Sequence, residues 1–325
     1  MQLEIARVNW PFASTFRIAS TAWEHCETLQ VTLRTHEHVG RAEALAVFYH
    51  GETIDSMLAQ IESIRGAIER SISRAELQKL LPAGGARNAI DCALWDLEAK
   101  HAGQPAWALA GLTTLKPLTT AYTLSVDSPE AMGRSAAAAS KYSLLKLKLC
   151  GAGDLERVSA VREARPDATL VVDANQSWTE QQLQSFSTRL AGLGVTLIEQ
   201  PLPAGADEAL LAFKSPVPLC ADESCQTTAS LPLVLGKYQF VNIKLDKTGG
   251  LTEALALARA AQAAGLKLMV GCMAGSSLAM APAFIIGQLC EVVDLDGPLL
   301  ASRDMPHAIH YQGSRMSPPE RALWG

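Results

Sequence analysis

Between residues 117 and 300 the chain repeats a single alternation, in which short β-rich apolar runs are separated by Ala- and Leu-rich amphipathic stretches, and few folds accept that pattern. The runs are LTTAYTL, SLLKLKL, ATLVVDAN, VTLIEQ, VPLCADES, QFVNIKLDK, LKLMVGCM and EVVDLDG, eight in all. Strands alternating with helices make parallel βαβ units, and eight units with apolar strands fit a closed α/β barrel better than an open doubly wound sheet. Little helical text follows the eighth run. The expectation is therefore a TIM-like (β/α)7β barrel, with residues 301–325 as a tail packing back on what precedes it.

Residues 1–116 read differently. LEIARVNW and ETLQVTLRT are strand-like, and the polar turn HEHVG leads into RAEALAV, which together predict an antiparallel meander. SRAELQKLL carries Ser73 and Glu76 as a capping box, and GARNAIDCALWDLEAKHAG has apolar residues at helical spacing up to Gly103. Asp91 and Asp96 on that last helix are assigned solvent or capping roles. This first unit is thus a separate α+β domain.

With 48% hydrophobic and 19% charged residues in 325, the chain is a compact globular protein. Its 28 Lys+Arg against 33 Asp+Glu, without a basic block, give nucleic acid or an anionic membrane no electrostatic support, so a small soluble ligand is expected. Seven scattered cysteines without a C-x-x-C pair suit a reducing cytoplasm, and MQLEIARVNW lacks the unbroken apolar run of a signal peptide. Leu268 to Cys290 lacks charge, but Gly271, Gly275, Ser276, Ser277 and Pro282 break it into a strand and a buried helix rather than a membrane span.

Each apolar run ends in polar residues that a buried strand does not need: Lys146 and Lys148, Asp173 and Asn175, Glu199, Asp222 and Glu223, Lys247, Cys272, then Asp294 and Asp296. From Lys148 the steps are 25, 26, 23, 25, 25 and 22 residues, one βα unit each. Equal phase in a barrel means equal height, so these side chains converge on the C-terminal mouth. Asp173, Glu199 and Asp222 would crowd three negative charges together, which calls for a counter-ion. Hard oxygen ligands point to Mg²⁺, with Mn²⁺ as the alternative, and all seven histidines lie outside the barrel strands, against zinc. Lys148 and Lys247 fall on strands two and six, which face each other across an eight-stranded barrel, so two bases flank one substrate carbon. Desolvation, the neighbouring Lys146 and the cation are expected to lower a lysine pKa into a useful range.

K-L-K at 146–148, D-A-N at 173–175, E-Q-P at 199–201, A-D-E-S at 221–224 and N-I-K-L-D-K-T-G-G at 242–250 resemble the enolase superfamily, muconate-lactonising subgroup, over nearly the whole chain. A-R-N-A-I-D-C-A-L-W-D at 86–96 is similar to that family's N-terminal capping domain, whose loops cover the barrel mouth. The resemblance implies Asp173, Glu199 and Asp222 as ligands of one Mg²⁺ per subunit, Lys148 and Lys247 as the acid/base pair, and Lys146 as an auxiliary lysine. D-L-D at 294–296 is similar to the D-x-D with which dipeptide epimerases hold a substrate ammonium, and G-C-M at 271–273 places Cys272 and Met273 beside it.

The implied reaction is epimerisation of a dipeptide, of L-Ala-D/L-Glu type, at the α-carbon of its C-terminal residue. A proton passes between the two lysines through a metal-stabilised ene-diolate, and recycling of murein peptides is the natural setting. Where Ala-Glu epimerases carry an arginine for the acidic side chain, this chain has Ser20, which leaves Arg17, or Trp23 with Glu24, to set side-chain choice. Other reactions of the subgroup, namely N-acylamino-acid racemase, o-succinylbenzoate synthase and cycloisomerase, stay open at this point. So do a Schiff-base aldolase, a non-catalytic binding homologue, and the question of a homo-oligomer.

Overall fold

In a computed structural model that describes every residue except Ser20, the chain begins with three antiparallel strands in sequence order, β1 (Gln2–Arg17), β2 (Ala22–Arg34) and β3 (Val39–Ala44). β1 and β2 outrun the apolar text that predicts them. They continue past a register shift between Pro11 and Phe16 to a hairpin tip where Phe16 pairs with Trp23.

Helices α1 (Ile54–Ser63), α2 (Arg65–Glu69), α3 (Arg74–Leu80) and α4 (Gly85–His101) back this sheet, with a short α5 (Ala106–Leu109) after them. The α3 box forms as read: Glu76 N donates to Ser73 Oγ, and Ser73 N donates to the Glu76 carboxylate. α4 is buried almost all round, as a helix wedged between two layers must be. Gly40 lets β3 lie directly on it, since a Cβ there would stand 2.7 Å from Leu97 Cβ. Asp91 and Asp96 are both fully buried, which corrects the solvated alternative, while Asp91 takes the capping one. Asp91 accepts from Thr252 N at the start of a barrel helix, and Asp96 accepts from Arg41 N, Lys100 Nζ and Gly325 N. Both join parts of the chain far apart in sequence.

After β4 (Leu118–Thr119) come eight parallel strands in sequence order: β5 (Tyr122–Leu124), β6 (Leu144–Lys148), β7 (Thr169–Asp173), β8 (Val195–Glu199), β9 (Leu219–Ala221), β10 (Phe240–Ile243), β11 (Lys267–Val270) and β12 (Val292–Val293). A Thr120–Val293 bridge and the Ala121 N–H donating to Val293 O join the first strand to the last and close the barrel. Outside lie α6 (Pro129–Ala138), α7 (Asp154–Ala164), α8 (Glu180–Gly192), α9 (Leu245–Thr248), α10 (Leu251–Ala263) and α11 (Ser277–Gly287). The crossovers on either side of β9 are thinner than expected. They hold 3-10 turns, Glu208–Leu211 and Thr228–Leu233, and Pro232 within the second removes a donor that an α-helix would need.

Leu268 to Cys290 divides into β11 and α11, and no helix among the described residues is long and apolar enough to cross a membrane. Beyond α12 (Gly297–Leu300), the tail forms β13 (Tyr311–Gln312) and β14 (Arg315–Met316), and β14 pairs with β4 at the foot of the barrel. The chain end then reaches the first domain, where Trp324 Nε1 donates to Cys92 O and Arg41 donates to the carbonyls of Ala322 and Leu323.

Candidate active site

A strand sends alternate side chains to opposite faces, and that period of two builds the site layer by layer. Val171, Leu197, Cys220, Phe240 and Met269, with Leu144 and Val292, pack inside the barrel as an apolar plug separate from the main core. Two residues further along each strand, the same face carries Lys146, Asp173, Glu199, Asp222, Asn242, Gly271 and Asp294. Two further still come Lys148, Lys244 and Asp296, which border a cavity of about 80 Å³ at the mouth. Charge therefore sits on an apolar floor and beneath the first domain, whose Phe16, Ile18, Trp23, Phe48 and Tyr49 close the cavity from above.

The charged layer is tightly interlocked. Lys146 Nζ lies 2.7 Å from Glu199 Oε2, 2.7 Å from Asp294 Oδ2 and 3.3 Å from Asp173 Oδ2. Lys148 donates to Asp173 Oδ2 at 2.7 Å, and Lys244 donates to Asp222 Oδ2 at 2.6 Å. Asn242 Nδ2 orients Glu199 by donating to its Oε1 at 2.7 Å. Gln200, fully buried, fixes the next loop: its Oε1 accepts from Asp222 N and Ser224 N, while its Nε2 donates to Tyr238 and Ser224. Gly271 leaves room for the array, since a Cβ there would stand 2.8 Å from the Asn242 amide and 3.1 Å from Lys244 Cε.

Burial and neighbours pull the titrations apart. Glu199 is pushed up to about 7 by burial and by Asp173, and Glu223 to about 8 by burial and by Asp222. Asp296 is pushed up to about 7 by burial and by Asp294. Burial acts to raise Asp222 as well, but Lys244 and Lys247 outweigh it and hold the carboxyl below its ordinary range. Lys244 is shifted upward. Burial does favour its neutral amine, but Asp222 and Glu199 overcome that and raise it.

The largest correction concerns Lys247. Its side chain takes no part in the cavity that Lys148 borders. Its Nζ donates to Asp222 Oδ1 and to the carbonyls of Asp222, Cys225 and Asn242, so it is consumed in fastening loops together. The cause is the end of β10 at Ile243, beyond which Lys247 lies within the turn of α9 and out of phase with Phe240, Asn242 and Lys244. Lys244 is the lysine across from Lys148, and the two-residue alternation N-x-K was the available signal.

The remaining sequence-derived residues distribute as follows. Cys272, Met273, Trp23, Asp294 and Asp296 border the cavity, together with Asn175 and Glu223. Asp294 Oδ2 is engaged by Lys146 while its buried Oδ1 has no partner, and Asp296 Oδ2 accepts from Thr123 N. Arg17 and Glu24 are exposed and do not border the cavity, and Ser20 lies outside the described residues. Tyr49, whose buried hydroxyl also lacks a partner, was not anticipated.

Asp173, Glu199 and Asp222 are brought together on adjacent strands, but each is turned onto a lysine, and among the described residues no three acids or histidines converge as ready ligands. Their chemistry nevertheless fits a divalent cation. Asp173, Glu199, Asp222, Glu223, Asp294 and Asp296 are all buried and outnumber Lys146, Lys148, Lys244 and Lys247 by two, a crowding that shows in the raised carboxyls of Glu199, Glu223 and Asp296 and that a bound cation would relieve. The donors are hard oxygens, suited to Mg²⁺.

Residues 1–111 match the mandelate racemase / muconate lactonizing enzyme N-terminal domain, and residues 131–322 match the enolase C-terminal domain-like family. An N-acetyl-D-glutamate racemase from Pseudoalteromonas sp is 45% identical over 297 residues, covering 91% of this chain and 94% of that one. The L-Ala-D/L-Glu epimerase of Escherichia coli K12 is 44% identical over 304 residues, covering 93% and 95%. Among solved structures, an enolase family member from Agrobacterium tumefaciens with homology to dipeptide epimerases, carrying bound sodium and L-Ala-L-Glu, superposes with a TM-score of 0.97 at 40% identity over 99% of both chains. A shared two-domain architecture and this degree of identity over almost the full length establish that the chain belongs to the mandelate racemase/muconate lactonizing enzyme family of the enolase superfamily, as an isomerase of the racemase and epimerase type.

Proposed function

We propose that the protein epimerises dipeptides at the α-carbon of the C-terminal residue, with Lys148 and Lys244 as the two bases. One observation carries this reading: both amines border a single cavity from strands four apart in an eight-stranded barrel, with carboxylates between them. A neutral Nζ on one side removes the α-proton, and the ammonium on the other returns its own to the opposite face, which inverts the centre and exchanges the roles of the two lysines. Lys146, enclosed by Asp173, Glu199 and Asp294, holds those acids in place beneath.

Asp173, Glu199 and Asp222 would hold one Mg²⁺ or Mn²⁺. Bound there, the ion would neutralise charge building on the substrate carboxylate and draw the acids off the lysines they now pair with. The unpartnered Asp294 Oδ1, with Asp296 beside it, suits the free ammonium of a dipeptide. Seven unpaired cysteines suit a reducing compartment such as the cytoplasm.

Racemisation of an N-acylamino acid is the second reading, supported by the similarity to the N-acetyl-D-glutamate racemase. The test is α-proton exchange in D₂O with Mg²⁺, followed by NMR on paired L-Ala-X and N-acetyl-X substrates. Faster exchange on the dipeptides is expected. Exchange confined to N-acetyl compounds would select the racemase, and none on either would sink both readings.

A further inference from the structure

The cavity also assigns a side-chain class, an inference that rests on the dipeptide reading above. At a carbon between Lys148 and Lys244, the proton faces one lysine or the other, the carboxylate turns to the cation that Asp173, Glu199 and Asp222 would hold, and the nitrogen turns to Asp294 and Asp296. The remaining bond leads out of the barrel, toward the tip of the β1–β2 hairpin.

The wall there is Phe16, Ile18, Trp23 and Phe48. Past it the space opens into a second cavity of about 300 Å³, which shares Phe16, Trp23, Phe48 and Met273 with the first and adds Phe12 and Leu45. A cavity of roughly half that volume is enough to hold a benzene ring. Trp23 stacks on Phe16 with centroids 6.4 Å apart and meets Phe48 edge-on at 5.3 Å, so the guest meets ring faces and edges.

The charges on these walls oppose an anion. Glu223 borders the first cavity and Glu27 the second, and the lysines among the described lining residues are Lys148 and Lys244, already paired with Asp173 and Asp222. Exposed His25 borders the second lobe, as Glu27 does. A side-chain carboxylate would thus lose water beside other acids without gaining a dedicated partner. We infer that the epimerised residue carries a large apolar side chain, aromatic or branched aliphatic, selected by Trp23, Phe16 and Phe48.

The test offers the full-length protein, with Mg²⁺ at pH 8, L-Ala-L-Phe, L-Ala-L-Leu and L-Ala-L-Glu. α-Proton exchange is read by NMR and binding by calorimetry. The expected result is kcat/KM at least tenfold higher for the Phe or Leu dipeptide than for the Glu dipeptide, with binding in the same order. Trp23→Arg should move that ratio at least tenfold toward Glu. Exchange fastest on L-Ala-L-Glu overturns the apolar assignment and leaves the epimerase standing. If no dipeptide exchanges, the epimerase reading fails, and calorimetry still decides the pocket: tighter binding of L-Ala-L-Phe supports it, and equal or tighter binding of L-Ala-L-Glu overturns it.

Discussion

Lys244 Nζ lies 2.6 Å from Asp222 Oδ2 and borders the cavity, whereas Lys247 reaches the other oxygen of the same carboxylate and is closed in by three carbonyls. Two lysines on one acid thus have different surroundings, and of the two only Lys244 borders the cavity that Lys148 borders.

Lys148→Met and Lys244→Met are each expected to lower epimerisation by roughly 10²- to 10⁴-fold or more, the usual contribution of a positioned base. Each should still exchange the α-proton of the one epimer that faces the surviving lysine, as seen by NMR in D₂O. Lys247→Met should instead lower unfolding stability by about 3–5 kcal/mol, because it leaves buried acceptors and Asp222 unpaired. A folded Lys247→Met protein without exchange, beside an active Lys244→Met, would reverse the assignment.

Gly271→Ala tests the same geometry from the neighbouring strand. The added methyl meets the Asn242 amide at 2.8 Å and Lys244 Cε at 3.1 Å, and overpacking of this kind typically costs about 1–3 kcal/mol. The displaced groups are the proposed second base and the donor that orients Glu199, so kcat should fall at least tenfold while the protein remains folded by circular dichroism. Wild-type kcat in that variant would show that Lys244 has more latitude than the contact implies.

The barrel was legible because each strand writes its inner face as an apolar residue followed two places later by a polar one, as Val171–Asp173 and Leu197–Glu199 do. The same rule applied to Phe240–Asn242 leads to Lys244. Counting whole βα units instead led to Lys247, because unit lengths vary with the loops while the pleat does not. The thin crossovers around β9 were hidden by Leu-rich text that reads as helical. The burial of Asp91 and Asp96 was illegible for another reason: their partners Thr252 and Gly325 meet them only when the domains and the chain end come together.

Mg²⁺ should raise stability as well as activity. An ion bound only by the folded protein adds about 2.7 kcal/mol at 100 times its Kd, read as a rise in Tm that EDTA reverses and matched Na⁺ does not reproduce. Glu199→Gln keeps an acceptor for Asn242 Nδ2 but removes one of the three anionic donors, so most of the Tm increment should vanish. An undiminished increment in that variant would place the ion elsewhere.

Asp246, two residues beyond Lys244, supplies a pH test. It is buried at the junction of the domains, where its Oδ1 accepts from Leu45 N at 2.9 Å and Asn88 Nδ2 at 2.7 Å. Burial pushes its carboxyl up to about 7 from 3.8, against the pull of those two donors. The folded chain therefore holds this proton more tightly than the unfolded one. The contribution to stability is complete below about pH 4 and is lost as pH rises through about 7, amounting to on the order of 4 kcal/mol at most. Asp246→Asn keeps the acceptor and abolishes the titration, while every other group stays common to both proteins. Urea unfolding should then show the variant gaining on wild type between pH 5 and pH 8. A stability difference that stays constant across that interval would mean that Asp246 ionises in the folded protein as it does in the unfolded chain.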